Sequence, residues 1–428
     1  MPAAPADHRK KLLVVLGAGS SMSVRMPGVD QIGELMRTWA RDWATKEHLL
    51  DCYTTIEGSV REHLEYGHHS RAPALNFERL LGEMSALSHW MEPAPFGAIL
   101  REVVCNGAAP VDFDFPNADA YGPKNNIDAQ LLYLLDRLAK QIRAETLAID
   151  RSTPAFNDYT LLISTLRERF DVGVYNLNYD NIALSAWPGA HVGFDASGAF
   201  SPSSVYDRQA WDFIYHLHGS VHHCLIGSVG RDIEWRCKLG GEFKDSDPGS
   251  VTDRYSEDKN LPKSTLIAGG FKLDQLLVEP FHSLHAAFVR HVYEADAILF
   301  GGYGFGDAHV NRALRNRLEC RPCEQRPPIM ILDRAAEPTE ALRFRQDRWA
   351  WELQTTLSVD QWFFAEAGQP NPANPSDLVA RGGFELAPIH CTAVWYAGFH
   401  AAAARAQDIA CWLDDGDARR LQATHAAV

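Results

Sequence analysis

The sequence predicts an α/β fold: a parallel sheet flanked by helices, with a helical insertion subdomain. Two observations carry this. Short apolar runs recur along the chain, each ending in Gly, Asn, His or Asp, and amphipathic stretches stand between them. One long interval, residues about 44–150, instead shows apolar residues at helical spacing and no strand pattern.

The first element is Lys11–Ser21, KLLVVLGAGSS. A continuous apolar run stopped by glycine reads as a strand buried on both faces. Gly17 and Gly19 then permit a sharp turn and close approach of a ligand. A helix starting there would aim free N–H groups at an anionic phosphate. The competing reading is a tight strand-to-helix turn with no ligand. Met26-Pro27-Gly28 marks a turn, and Ile32, Leu35, Met36, Trp39, Ala40 and Trp43 follow at helical spacing. Helical patterns continue through Phe77–Leu87 and Leu131–Leu147, around a Gly-, Pro-, Asn- and Asp-rich stretch at 106–126 that reads as a long loop.

Strands return at Phe170–Asn178, Trp211–His218, Ser264–Ala268, Ala297–Gly301 and Pro328–Asp333. The alternation gives a Rossmann-like parallel sheet. Residues 228–263 are polar and read as a surface excursion. From about 340 the pattern is mixed and largely helical, with Trp349, Trp351, Trp362, Trp395 and Trp412 as core or interface residues. The organisation expected is a domain at 1–335 and an extension at 336–428.

In an open parallel sheet, ligands bind beyond the carboxyl ends of the strands. Four loops there carry unusual residues. Gly17-Ala18-Gly19-Ser20-Ser21 lacks the third glycine of the dehydrogenase fingerprint, since Met22 stands in that place. No second strand ends in an acidic residue twenty positions on, so a nucleotide site of another type is expected. In Asn176-Leu177-Asn178-Tyr179-Asp180, three polar residues share one face of an apolar strand's end. They suit a hydroxyl-bearing ligand or an Asx turn. In His216-Leu217-His218-Gly219, His218 is placed for proton abstraction near neutral pH, or is a satisfied core histidine. His222, His223 and Cys224 add a zinc alternative. Gly301-Gly302-Tyr303-Gly304-Phe305-Gly306-Asp307 is a second glycine turn before a helix, with Asp307 as N-cap.

These pieces, in order, resemble the sirtuin (Sir2) superfamily, and within it the bacterial SIR2-like domains of anti-phage defence systems. They are GAGSS at 17–21, MPG at 26–28, NYD at 178–180, HG at 218–219, GGYGFGD at 301–307 and Asn311. The span IAGGFKLDQLLVEPF at 267–281 belongs with them. The likeness covers roughly 11–335. Three departures separate the chain from a sirtuin deacylase. The two CxxC pairs of its zinc module are missing, Asn176 stands in place of a threonine, and Pro27-Gly28-Val29-Asp30 replaces an acidic–arginine pair. The defence branch lacks that module and hydrolyses NAD.

The resemblance implies an NAD+ glycohydrolase acting as a defence effector. NAD is its substrate and no metal is expected. It implies His218 as general base, Asn178 on the ribose hydroxyl or the attacking water, and Asp180 supporting that loop. Gly17, Ala18, Gly19, Ser20 and Ser21 would cradle the phosphates. Gly302, Tyr303 and Asp307 would line the adenosine side, and Asp333 would border the adenine end. The alternatives are an NAD-dependent deacylase and a non-catalytic scaffold that senses NAD or ADP-ribose. A homo-oligomer is expected, with a control partner such as a HerA-type ATPase or an Argonaute, and the chain carries no GxxxxGK[ST] of its own.

Composition bounds the rest. The 428 residues are 46% hydrophobic, enough for a large core, and the formal net charge of −14 argues against direct capture of nucleic acid. No apolar stretch reaches the roughly 18–20 residues needed to span a bilayer. MPAAPADHRKK lacks a signal-peptide pattern, so a cytoplasmic protein is expected. The eight cysteines are scattered, and Cys320 and Cys323, the one CxxC, offer two of the four ligands of a structural zinc site.

Overall fold

A computed structural model describes residues 9–66, 75–90, 123–226, 232–240, 252–253, 263–269, 272–335, 347–359, 363–364, 384–417 and 419–422. Most of 106–126 and 228–263, and Trp362, lie outside the described residues. No helix among the described residues is long and apolar enough to cross a membrane.

The strands are β1 (Lys11–Leu16), β2 (Asp171–Asn176), β3 (Asp212–His216), β4 (His223–Ile226), β5 (Asp232–Trp235), β6 (Thr252–Asp253), β7 (Lys263–Ser264), β8 (Ala297–Gly301), β9 (Ile329–Leu332), β10 (Phe363–Phe364), β11 (Phe384–Ala387) and β12 (Thr392–Trp395). Eight of them form one sheet in the order β10-β11-β12-β9-β8-β1-β2-β3. From β12 to β3 all neighbours are parallel, while β11 runs antiparallel to both β10 and β12. Numbered by appearance, the six parallel strands stand in the doubly wound order 3-2-1-4-5-6. The sheet is therefore Rossmann-like, and its winding reverses between β1 and β8.

Period-two alternation divides β1 between two cores. Leu12, Val14 and Leu16 face one of them. It is closed by the helices Val29–Glu47, Phe77–Trp90, Pro123–Ala148, Pro154–Arg169 and Ala406–Asp415. Leu13 and Val15 face the other, closed by Phe281–Glu294, Ala308–Glu319 and Arg348–Leu357. Four of the first-face helices lie between β1 and β2, and two of them, Phe77–Trp90 and Pro123–Ala148, fall within the expected helical interval of about 44–150. Their starts follow local chemistry. Gly28 N–H donates to Gln31 Oε1 at 3.0 Å, and Thr153 caps a helix with Pro154 in its first turn.

Three expectations change. Ser264–Ala268 is not a strand of the parallel sheet. Lys263–Ser264 pairs with Thr252–Asp253, and Leu266 makes a single bridge to Gly219. This run is short, and its backbone bonds go to the loop after β3, with Ile267 N–H donating to the His218 carbonyl at 2.7 Å. Second, β11 and β12, from a stretch read as mixed and helical, extend the main sheet. Third, the tryptophans divide: Trp395 and Trp412 are core, Trp349 is half-buried, and Trp351 is 60% exposed.

Where β1 and β8 end, two backbones touch. Gly17 N–H donates to Gly301 O at 2.9 Å, and Gly19 N–H to Gly302 O at 3.0 Å. A Cβ on Gly17 would lie 2.6 Å from Gly302 O, and one on Gly19 2.8 Å from Gly302 Cα. Gly302 itself has φ +58°, and its own Cβ would strike the backbone of Gly19 and Ser20. Gly302→Ala is therefore expected to cost about 2 kcal/mol or more in urea denaturation, from left-handed strain plus the clash. A loss below about 0.5 kcal/mol would show that the turns can separate freely.

Candidate functional site

The winding reversal between β1 and β8 is where a ligand crevice is expected. Its floor is the Gly17–Ser21 turn against Gly302. Ala18 is exposed and Gly19 half-buried, while Ser20 and Ser21 are buried. The close approach that Gly17 and Gly19 permit is made to the Gly302 backbone. Several backbone donors of the turn are used internally, with Ser20 N–H on Gly17 O and Ser21 N–H on Ala18 O.

Asn178 lies over this turn. Its Nδ2 donates to Gly17 O at 3.0 Å and to the Ser20 and Ser21 hydroxyls at 3.1 Å each. The structure thus joins two of the sequence-predicted segments, separated by about 160 residues. Asn176 holds the loop from below: its Oδ1 accepts from Asn178 N–H and its Nδ2 donates to Asp180 O. The Asp180 carboxylate is buried, accepts from Ile182 N–H at 2.9 Å and faces the Ser21 hydroxyl. Burial pushes its pKa up to about 6, against those bonds. Tyr179, between them, donates its hydroxyl to Ile267 O at 2.9 Å.

His218 is 2% exposed at the end of the loop leaving β3. Its Nε2 faces His309 Nε2 at 3.0 Å and lies 3.8 Å from Asp307 Oδ1. Burial lowers the His218 imidazole to about 3, with Asp307 opposing, and His309 to about 4. Burial thus favours the neutral form of both rings, in which one Nε2 can donate and the other accept. Asp307 occupies the N-cap position of Ala308–Glu319, yet its side chain makes no cap bond. It turns to Lys272, whose Nζ lies 2.7 Å from Asp307 Oδ1 and 3.1 Å from Glu78 Oε2. Burial alone would raise the Asp307 carboxyl, but the Lys272 ammonium holds it well below the carboxylate range. Burial likewise opposes the Lys272 charge, and Asp307 and Glu78 together overcome it.

A cavity of about 580 Å³ opens beside this cluster, lined by Glu78, Arg79, Lys272, Asp307, His309 and Trp349 among others. Its size is ordinary for a small-molecule site. Two predicted residues have other surroundings. The Tyr303 ring is buried in the second core and its hydroxyl donates to Asn311 Oδ1 at 2.8 Å, so it braces the turn. Asp333 follows β9, with its backbone tied to Trp395 and Gly398. The zinc alternative at 222–224 does not converge. His222 stacks on Trp235 at 4.5 Å, and the one set of three close metal-type side chains among the described residues is His218, Asp307 and His309.

Sequence reading missed Glu78, Lys272 and His309. His309 had a signal: it follows Asp307 by two residues, in the first turn of a helix that starts at a glycine-rich loop. Lys272 lies within the 267–281 span already singled out. Glu78 had none, because a half-exposed glutamate on an amphipathic helix is unremarkable until its partner is known.

Residues 172–352 match the family model described as a SIR2-like domain. That match supports the SIR2-like superfamily. The SIR2-like segment starts at β2 and so includes Asn178, His218, Lys272, Asp307 and His309, but not the Gly17–Ser21 turn. SIR2-like domains are often NAD-utilising enzymes, so a NAD-related function is indicated. No curated protein matches the chain.

Asp180 supplies a pH test. Its folded pKa of about 6 exceeds its ordinary 3.8, so the folded state binds the extra proton between those values. Its contribution to stability is therefore greatest in acid and is lost as pH rises through 6. Asp180→Asn keeps the bond from Ile182 and removes the buried charge. The variant is expected to be more stable by roughly 1–3 kcal/mol at pH 8, with the gain vanishing below about pH 4 in urea denaturation. A gain independent of pH would mean the charge is not its source.

Proposed function

We propose that the protein is an NAD+ hydrolase that cleaves the nicotinamide–ribose bond to give nicotinamide and ADP-ribose. The observation that carries this reading is the placement of a buried, neutral His218 and of Asn178 on the neighbouring loops after β3 and β2. Both lie at the carboxyl edge of a doubly wound sheet within a SIR2-like match. Nicotinamide departs as a neutral base, leaving an oxocarbenium-like ribose that water attacks. Asn178 orients the ribose hydroxyl or that water. His218 takes the proton the water loses, which requires the unprotonated ring that burial enforces. The anionic diphosphate lies against the outer part of the Gly17–Ser21 turn, with Ala18 and Gly19 as its nearest groups. Asp333 lies toward the adenosine, whereas Asp307 stands beside His218 at the ribose end.

An enzyme that consumed NAD without restraint would kill its host. We therefore read it as the effector of a bacterial anti-phage system, held in check as a homo-oligomer or by a partner such as a HerA-type ATPase or an Argonaute. It acts in the cytoplasm.

Nicotinamide release from NAD+ is the test, with the protein alone and with the products of neighbouring genes. His218→Ala is expected to lower the rate by about 10²–10⁴-fold, the size of one general-base contribution, with the fold retained. Asn178→Ala is expected to abolish most of the rate as well. Release that requires an acyl-lysine peptide would establish a deacylase instead. Tight NAD+ binding without turnover under any condition would establish a sensing scaffold.

A further inference from the structure

The residues around His218 offer more than a base. We propose that His218, His309 and Asp307 form a site for a first-row divalent cation of the zinc class, and that an ion bound there shuts off hydrolysis. The second clause rests on the hydrolase reading; the first does not.

The geometry is the argument. The two Nε2 atoms are 3.0 Å apart, Asp307 Oδ1 is 3.8 Å from His218 Nε2, and all three donor atoms lie within 4.8 Å of one another. Ligands held tetrahedrally at about 2.0–2.1 Å from zinc stand about 3.3 Å from each other. The first two separations bracket that value. If both imidazoles carry their proton on Nδ1, both Nε2 lone pairs are free for an ion in place of the hydrogen bond they now share, with a carboxylate oxygen beside them. Two imidazoles and one carboxylate suit zinc, cobalt or nickel, whereas magnesium and calcium prefer all-oxygen cages.

Charge and access agree. Glu78 and Asp307 carry two negative charges and Lys272 one positive, so with neutral histidines these groups leave one negative charge over. Lys272 is a rival for Asp307, since its ammonium already bonds the ligating oxygen. A carboxylate oxygen accepts more than one bond, however, and Glu78 anchors Lys272 from the other side. Asp307 and His309 both line the cavity of about 580 Å³, which gives a hydrated ion a way in and a place for the water that completes its shell. An ion on His218 Nε2 takes the lone pair that the attacking water needs.

The test is a titration of the metal-free full-length protein with Co2+, followed by the visible absorption of tetrahedral cobalt. Saturable absorption is expected, displaced by Zn2+ and lost in both His309→Ala and Asp307→Asn. His309→Gln serves if His309→Ala fails to fold by thermal melt. Nicotinamide release is measured in parallel. At Zn2+ about ten times its dissociation constant, mass action leaves roughly a tenth of the wild-type rate, while the His309 variant keeps its own metal-free rate. No absorption in the wild type, or absorption retained in both variants, overturns the site. Binding without any loss of release overturns the shut-off. Variant-sensitive absorption in a protein that never releases nicotinamide overturns the hydrolase reading and leaves the cation site standing.

Discussion

Two glycine turns meet backbone to backbone where the first and fourth parallel strands end, and the site depends on that contact. Hydrogen bonds from Gly17 and Gly19 to Gly301 and Gly302 hold the turns together. Side chains on Gly17, Gly19 or Gly302 would fill the space that the facing backbone occupies. The consequences run in both directions along the chain. On one side, Ser20 and Ser21 are set under Asn178. On the other, the loop that leaves Gly302 delivers Asp307 and His309 to His218. A nucleotide-binding turn usually spends its glycines on the ligand. Here they are spent on another loop, and only the outer part of the turn around Ala18 remains to receive one.

The second organising element is a buried ammonium. Lys272 lies between Glu78, on a helix inserted between β1 and β2, and Asp307, on the loop after β8. Removing Lys272 would strand the buried Asp307 carboxylate, and such losses are large, whereas removing either carboxylate leaves Lys272 paired with the other. The insertion is thereby joined electrostatically to the loop that faces His218. Tyr179 reaches the same neighbourhood from the loop after β2, and Ile267 receives its hydroxyl bond. Four separate stretches of chain thus converge on one polar cluster beside the cavity.

Much of the sheet was legible because five of its strands are uninterrupted apolar runs with a polar or glycine stop. β1, β2, β3, β8 and β9 all read that way, although nothing in their pattern fixes which of them lie side by side. β11 and β12 were not legible. Each is four residues long, and Phe384–Ala387 contains Glu385, which breaks the apolar pattern. That glutamate is fully buried and accepts a bond from the Tyr396 hydroxyl, a tertiary partner invisible in local pattern. At the site, Asn178 and His218 stood out because polar residues at strand ends are costly without a purpose. Asp307 was read as an N-cap, and Tyr303 and Asp307 by resemblance as lining the adenosine side; in the structure Tyr303 braces a turn and Asp307 pairs with lysine. Gly17 and Gly19 were read as points where a ligand comes close, and what comes close to them in the structure is the Gly302 backbone.

The strand order has a consequence for how the chain comes into being. β1 occupies the middle of the sheet, yet its neighbours begin at Asp171 and Ala297. A ribosome adds roughly 5–20 residues per second, so β1 waits some tens of seconds for its second partner. During that time it has open edges, the kind of surface that invites mispairing. What emerges directly after it are the helices from Val29 onward, whose apolar stripes cover one of its two faces. In the folded protein the same insertion that contributes Glu78 covers one face of the strand at the middle of the sheet.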